Sequence, residues 1–205
     1  MTDFNKTGYQ VVRGALGREA CKLLGMQFQM VRDHMVFFNN ADGTDVQFKN
    51  DGQVTNSFSY YCSVGFDTLL GYIRPKIQEI TGKRLYSCYS YARIYYNGAE
   101  MTTHTDRPSC QYSVTMTIEV DKNPWELWIT GFDGMDKSVD LDIGDMLVYR
   151  GDALKHWRNT YTENYQIQVF LHYVDADGQY ANQKYDTRPM LGLPITFRDE
   201  TVVLL

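Results

Sequence analysis

Residues 89–106 read YSYARIYYNGAEMTTHTD, and this stretch decides the fold. Its first half alternates with a period of two, which predicts a β-strand over 89–96 that ends at Asn97-Gly98. Because Asn-Gly is a strong hairpin signal, we expect this turn to close a hairpin. Beyond the turn stand His104 and Asp106. On an extended segment, side chains two residues apart point to the same face, so both can reach one metal ion.

A second histidine, His156, lies far downstream in the segment GDALKHWR of residues 151–158. Two imidazoles and one carboxylate form a three-ligand face that leaves half of an iron(II) coordination sphere open for a co-substrate and dioxygen. The chain has only four histidines, and two of them fall in this frame. The alternative is a surface hydrogen-bonding pair at His104 and Asp106 with a structural histidine at 156, because an isolated His-x-Asp usually marks a polar turn.

The composition indicates an ordinary globular protein. The 205 residues are 22% charged and 43% hydrophobic, and the sixteen tyrosines favour strands and a lined cavity. A net charge of -5 gives no reason to expect nucleic-acid or membrane partners. Since the N-terminus lacks a signal-peptide core and no stretch approaches a membrane span, we expect a cytoplasmic protein. The four cysteines lack metal-site spacing and are expected to be buried thiols: Cys21, Cys62, Cys88 and Cys110.

The order of elements predicts a mainly β fold with flanking helices. Residues 8–13 read as a strand, 17–35 and 67–81 as helices, with Pro75 expected to kink or divide the second. A polar loop over 39–58 is a candidate lid or substrate selector. From Leu85 onward the expected strands are 89–96, 111–120, 125–130, 137–142, 145–150 and 165–174. We expect one domain over 1–205, with a helical lead-in and polar loop (1–84), a double-stranded β-helix core of the jelly-roll, cupin-like type (85–175) and a C-terminal wrap (176–205).

Over roughly residues 85–175 the chain resembles the iron(II)- and 2-oxoglutarate-dependent dioxygenases, in the prolyl 4-hydroxylase-like branch. The matching positions are Tyr95, Gly98, His104, Asp106, the Leu141 to Leu147 stretch with Gly144-Asp145, and His156. The resemblance implies that His104, Asp106 and His156 hold iron(II), which 2-oxoglutarate chelates through its keto and C1 carboxylate oxygens. It implies consumption of dioxygen, release of succinate and CO2, and hydroxylation of an unactivated C–H bond. An aspartate at 106 fits a hydroxylase, whereas a halogenase usually carries a small residue there.

The chain departs from this family at the cation that pairs with the distal carboxylate of 2-oxoglutarate. Most relatives carry an Arg or Lys shortly after the distal histidine, but residues 165–170 hold none. A dianion in a cavity needs a cation. The first candidate is Arg158, on the same expected face as His156, and the second is Arg93, on the strand face of Tyr95. Others could support the co-substrate or be structural: Arg107 at the C1 end, the Tyr95 phenol, Gln166 and Gln168.

Two other functions stay open. The missing cation favours a cupin-like iron oxygenase that does not use 2-oxoglutarate, and a non-catalytic jelly-roll binding module is the third possibility. The substrate is expected to be a small molecule or a peptide residue, prolyl included, and the oligomeric state is not readable. His172 is expected to be a structural histidine and not a fourth ligand.

Overall fold

A computed structural model of the chain describes residues 4–41 and 53–193. The helices in these ranges are α1 (Phe4–Thr7), α2 (Arg18–Ala41) and α3 (Val64–Thr81). The strands are β1 (Tyr9–Val12), β2 (Ser57–Tyr61), β3 (Leu85–Tyr96), β4 (Met101–His104), β5 (Tyr112–Val120), β6 (Leu127–Thr130), β7 (Asp136–Val139), β8 (Met146–Tyr149), β9 (His156–Arg158) and β10 (Tyr165–Asp175). A short 3₁₀ segment spans Pro108–Cys110, and Ala181–Thr187 is a 3₁₀ segment interrupted by a kink with non-helical angles at Lys184, Tyr185 and Asp186. Within the described ranges, no helix is both long and apolar enough to cross a membrane.

The strands form two antiparallel sheets. One has six strands in the order β1-β8-β5-β10-β3-β2, and the other has four in the order β4-β9-β6-β7. Successive residues of a strand face opposite sides of a sheet. Ile94 accordingly packs in the cluster that contains helix residues, while Tyr95 packs with Leu127 and Ile129 of the smaller sheet. The expected fold class, a mainly β jelly roll with flanking helices, is confirmed.

Helix α3 shows why the helices lie on the outer face of the large sheet. The Ser63 hydroxyl caps its first turn by accepting from the Phe66 N–H at 3.2 Å. Leu70 and Ile77, on either side of Pro75, are fully buried. A proline in a helix costs about 3 kcal/mol, whereas each buried aliphatic side chain contributes roughly 1.5–3 kcal/mol. The apolar stripe outweighs the proline, so α3 is one continuous helix and is not divided at Pro75.

Two sequence-based boundaries are corrected. Asn97-Gly98 is a turn but does not close a hairpin, because β3 belongs to the large sheet and β4 to the small one. The Gly98 N–H instead donates to the Tyr161 carbonyl at 2.8 Å, a contact with a distant segment. The loop expected over 39–58 is shorter, since α2 continues to Ala41 and β2 begins at Ser57. Residues 42–52 of that loop, and with them most of the candidate lid, lie outside the described residues, as does the chain end from 194.

Candidate metal centre

The two histidines of the site are cross-strand neighbours. Strands β4 and β9 pair antiparallel with His104 opposite His156, and their ring centroids are 4.3 Å apart. His104 Nδ1 lies 2.8 Å from the Thr102 carbonyl oxygen, and His156 Nδ1 lies 3.0 Å from that of Leu154. Since a carbonyl only accepts, each Nδ1 carries the proton and each Nε2 keeps its lone pair for a metal.

Asp106 adds a carboxylate to the two imidazoles. Its Oδ1 lies 3.5 Å from Nε2 of both His104 and His156. The ligand-type atoms of the three residues all lie within 4.8 Å of one another. The Asp106 N–H donates to the Gly151 carbonyl at 2.8 Å, and the Ser113 hydroxyl donates to Oδ2 at 3.2 Å. Two nitrogens and one oxygen are the donor set typical of a non-haem iron(II) site.

Position 151 has to be glycine for Asp106 to lie where it does. A Cβ at Gly151 would lie 2.5 Å from Asp106 Oδ2 and would also collide with the Ser113 hydroxyl. The backbone of residue 151 therefore approaches the carboxylate more closely than any side chain allows. This glycine opens the segment that ends at His156, so one short loop serves both ligands.

The electrostatics of the site favour an ionised carboxylate. Burial by itself raises the pKa of Asp106, but the neighbouring imidazoles of His104 and His156, in their protonated form, outweigh burial and hold that pKa well below its usual range. For His104, burial lowers the pKa, while the hydrogen bonds to Asp106 and to the Thr102 carbonyl raise it above the ordinary value. The carboxylate is thus in the form that binds a cation.

A cavity of about 440 Å³ opens onto these three side chains. Its volume lies in the range of small-ligand sites. Besides its histidines, the wall carries five aromatic rings and two guanidinium groups: Tyr61, Tyr89, Tyr91, Tyr149, Phe170, Arg93 and Arg107. A small organic molecule can therefore lie against the metal ligands with both apolar and cationic partners.

The residues expected to bind a distal carboxylate lie in two places. Arg93 is part of the cavity wall, and its Nη2 donates to Gln53 Oε1 at 2.9 Å. Arg158 and Tyr95 are not among the lining residues. Both are fully buried against Trp125, with the Arg158 guanidinium and the Tyr95 ring each 5.0 Å from its ring centroid.

Two polar atoms of this buried pair have no partner. The Tyr95 hydroxyl and Arg158 Nε make no hydrogen bond within residues 4–41 and 53–193, although Arg158 Nη1 donates to the Trp125 carbonyl. Gln168 Nε2 donates to Thr115 Oγ1 at 2.7 Å, and Thr115 lines the cavity. An unsatisfied buried donor costs about 1–3 kcal/mol. Two such atoms therefore lie beside the Trp125 ring without a hydrogen-bond partner in the described ranges.

His172 lies closer to the site than the sequence suggested. It lines the cavity, and its Nδ1 is 2.9 Å from the Ser113 hydroxyl that donates to Asp106. With Asp106 and Cys110 it forms a second group of ligand-type atoms within 4.8 Å. Burial lowers the pKa of His172 to about 4, so its ring is neutral at pH 7.

Sequence reasoning missed two side chains that contact Arg107. Tyr61, at the end of β2, lines the cavity, and the buried Asp186 lies 3.0 Å from Arg107 Nη2. Neither belongs to a recognisable motif. Their segments meet Arg107 only through the tertiary fold, so no local pattern could have identified them.

No protein-family model and no curated protein matches the chain. Solved structures do match. The epimerase SnoN from nogalamycin biosynthesis, α-ketoglutarate dependent, aligns with a TM-score of 0.68 at 12% identity, over 94% of this chain and 92% of that one. HygX from Streptomyces hygroscopicus, solved with nickel, 2-oxoglutarate and hygromycin B, gives 0.64 at 11%, with 85% of each chain covered.

A Pseudomonas putida prolyl-4-hydroxylase gives a TM-score of 0.63 at 13% identity, over 84% of this chain and 95% of that one. At identities this low the likeness concerns the backbone. The chain therefore has the fold of SnoN, HygX and this prolyl-4-hydroxylase, as the resemblance in sequence predicted.

Proposed function

We propose that the protein is an iron(II)- and 2-oxoglutarate-dependent oxygenase that hydroxylates an unactivated C–H bond of a small molecule or peptide residue. The observation that supports this most directly is the meeting of His104, Asp106 and His156 at one cavity wall within 4.8 Å. Structures of the same fold contain 2-oxoglutarate with nickel or iron(III). The donor set of this chain fits iron(II).

In this proposal the chain itself holds and orients the bound groups. His104 and His156 present Nε2 because backbone carbonyls hold each Nδ1 proton. Asp106 supplies the anionic ligand, and Ser113 steadies its second oxygen. When bound, iron(II) and 2-oxoglutarate supply the oxidative chemistry, which consumes dioxygen, releases succinate and CO2 and hydroxylates the substrate.

Arg158 is our proposed partner for the distal carboxylate of 2-oxoglutarate, with Tyr95 and Gln168 as supporting donors. The unpartnered Tyr95 hydroxyl and Arg158 Nε support this assignment. Arg158 on β9 would then pair with the distal carboxylate in place of the Arg or Lys that residues 165–170 lack. Arg93, in the cavity wall, is the second candidate.

The proposal also covers the domain organisation and the location of the protein. We propose a single domain over residues 1–205, since both sheets contribute to one cavity. We propose a cytoplasmic location, because all four cysteines are free, buried thiols, as a reducing compartment favours.

An anaerobic titration with iron(II) and then 2-oxoglutarate tests the function. We expect a visible charge-transfer band that requires both additions and disappears in His156→Ala. The matched control is His34→Ala, a histidine exposed on α2, which should keep the band. Iron binding without a band would favour an iron oxygenase of another kind, and no iron binding would leave a binding module.

A further inference from the structure

Arg107 follows the proposed metal ligand Asp106 directly and lines the same cavity. Its Nε donates to the Tyr89 hydroxyl at 3.3 Å, and its Nη2 donates to Asp186 Oδ2 at 3.0 Å and to the Tyr61 hydroxyl. The guanidinium carbon lies 4.5 Å from the centroid of the Tyr89 ring. One face and one edge of the guanidinium are thus held in place.

The other edge is available. Arg107 Nη1 donates to no residue of the described part of the chain, and the side chain is 43% exposed. A guanidinium whose plane is already fixed loses little conformational entropy when it binds a carboxylate. Charge-assisted hydrogen bonds of this kind are about twice as strong as neutral ones.

Two strained segments meet at Arg107. Cys62, directly after Tyr61, has a φ of 58°, and Tyr185, Asp186 and Thr187 have φ values of 56°, 54° and 64°. Residues other than glycine rarely adopt such angles, and those that do cluster at active sites and ligand clamps. One segment brings the Tyr61 hydroxyl to Arg107, and the other brings the Asp186 carboxylate.

Holding the C-terminal segment in place does not by itself explain this strain. Arg188, two residues after Asp186, already ties that segment to the helix α3 through a buried ion pair with Asp67 at 2.9 Å. The contacts of Asp186 are instead directed at the cavity wall, to Tyr61 and Arg107. The arrangement orients a guanidinium at the cavity.

The rest of the wall is suited to an apolar body. Tyr91 and Phe170 lie with ring centroids 6.2 Å apart, and Met101 and Leu127 complete the apolar lining. The 440 Å³ also have to accommodate 2-oxoglutarate. The volume that remains beside 2-oxoglutarate fits a compact molecule better than a peptide segment.

We propose that Arg107 binds the carboxylate of the organic substrate, so that the protein acts on a small, free carboxylic acid with an apolar or aromatic body. This inference rests on the proposed function and narrows it. It assigns Arg107 to substrate specificity and leaves the co-substrate to Arg158.

The test compares 3-phenylpropanoate with the neutral 3-phenylpropanamide, each titrated anaerobically into protein loaded with iron(II) and 2-oxoglutarate. We expect both to shift the charge-transfer band, with the acid binding about tenfold tighter or more. Arg107→Gln should remove this preference while the band itself persists. Arg84→Gln removes the same charge from an exposed surface pair with Asp177 and should keep the preference.

Several outcomes would overturn the inference. They are equal affinity for acid and amide, no binding of the acid, a preference that survives in Arg107→Gln, or loss of the band on adding the acid, which would show that it displaces 2-oxoglutarate. If Arg107→Gln does not fold because the buried Asp186 carboxylate loses its cation, the double variant with Asp186→Asn removes both charges and should show the same loss of preference. Absence of the band before any acid is added contradicts the proposed function instead.

Discussion

Arg158 is the residue whose replacement separates co-substrate binding from iron binding. Its guanidinium is fully buried, and burial lowers its pKa. We expect Arg158→Met, which keeps the bulk without the charge, to weaken 2-oxoglutarate binding by about 30-fold or more, because losing one partner of a buried charge pair costs about 2–5 kcal/mol. Iron(II) affinity should change little, since the guanidinium does not contact the proposed ligands. Titration of the charge-transfer band with 2-oxoglutarate measures the affinity for 2-oxoglutarate, and titration with iron(II) at saturating 2-oxoglutarate measures the affinity for iron.

Arg93→Met is the comparison for this prediction. It removes the same charge from the cavity wall, where Arg93 donates to Gln53. A large loss of 2-oxoglutarate affinity in Arg93→Met, with a normal value in Arg158→Met, would transfer the assignment to Arg93.

At the scale of single residues, the sequence identified the candidate site residues that belong to a motif. It missed those that reach the cavity only through the tertiary fold. His104, Asp106 and His156 could be singled out because their types and spacing have a chemical meaning, and the structure brings them together. Tyr61 and Asp186 carry no such mark. Their place beside Arg107 depends on the register of β2 on β3 and on the path of the C-terminal segment, which local patterns do not encode.

Among the elements, the turn before β8 is held by one carboxylate. Asp145 Oδ2 accepts from Arg13 Nη1 at 2.7 Å, and Oδ1 accepts from the Gly14 N–H at 2.7 Å, so the turn is tied to the end of β1. The φ of Gly144 is 85°, and a Cβ there would collide with the Leu16 carbonyl. Burial raises the pKa of Asp145, but these hydrogen bonds outweigh it and leave the pKa lowered.

We expect Asp145→Asn to reduce the free energy of unfolding by about 1–2 kcal/mol at pH 7. Because the folded-state pKa is below the unfolded value, the carboxylate stabilises the fold above that unfolded value and loses this effect as the pH falls through the folded pKa. The difference between variant and wild type should therefore shrink below about pH 4. Urea unfolding between pH 7 and 3 measures it, with the exposed Asp142→Asn as control; a difference independent of pH would contradict the assignment.

The sequence predicted the three longest strands from their period and the four-residue strands β1, β6, β7 and β8 with the help of flanking turns, and it missed β2, β4 and β9. β5 and β10, with 9 and 11 residues, were predicted to within one residue at each end, whereas β3, with 12, begins at Leu85, four residues before its predicted start. β4 and β9, with 4 and 3 residues, were missed because such short segments show no clear period of two, although they carry both histidines. The Asn97-Gly98 hairpin was wrong because the partner of that turn, Tyr161, is supplied by tertiary structure.

On the scale of the whole molecule, one buried ion pair joins three distant parts of the chain. Asp67 lies in the first turn of α3, its Oδ1 accepts from the Ser90 hydroxyl of β3 at 2.7 Å, and its Oδ2 accepts from Arg188 and from the Gly192 N–H. Arg188 Nη2 also donates to the Cys88 carbonyl. Helix, sheet and C-terminal segment thus share a single charged centre beneath the segment that carries Asp186.

We expect Arg188→Met to destabilise the protein by about 3–5 kcal/mol, because it leaves the Asp67 carboxylate buried without its cation. In a protein of this size that corresponds to a fall in Tm of roughly 10 °C, measurable by calorimetry. Adding Asp67→Asn removes the stranded charge, so the double variant should be more stable than Arg188→Met alone. Arg84→Met, which breaks the exposed pair with Asp177, should cost less than about 1 kcal/mol. If the double variant is instead destabilised by the sum of the free-energy losses of the two single variants, the two charges act independently. The C-terminal segment is then held by its other contacts.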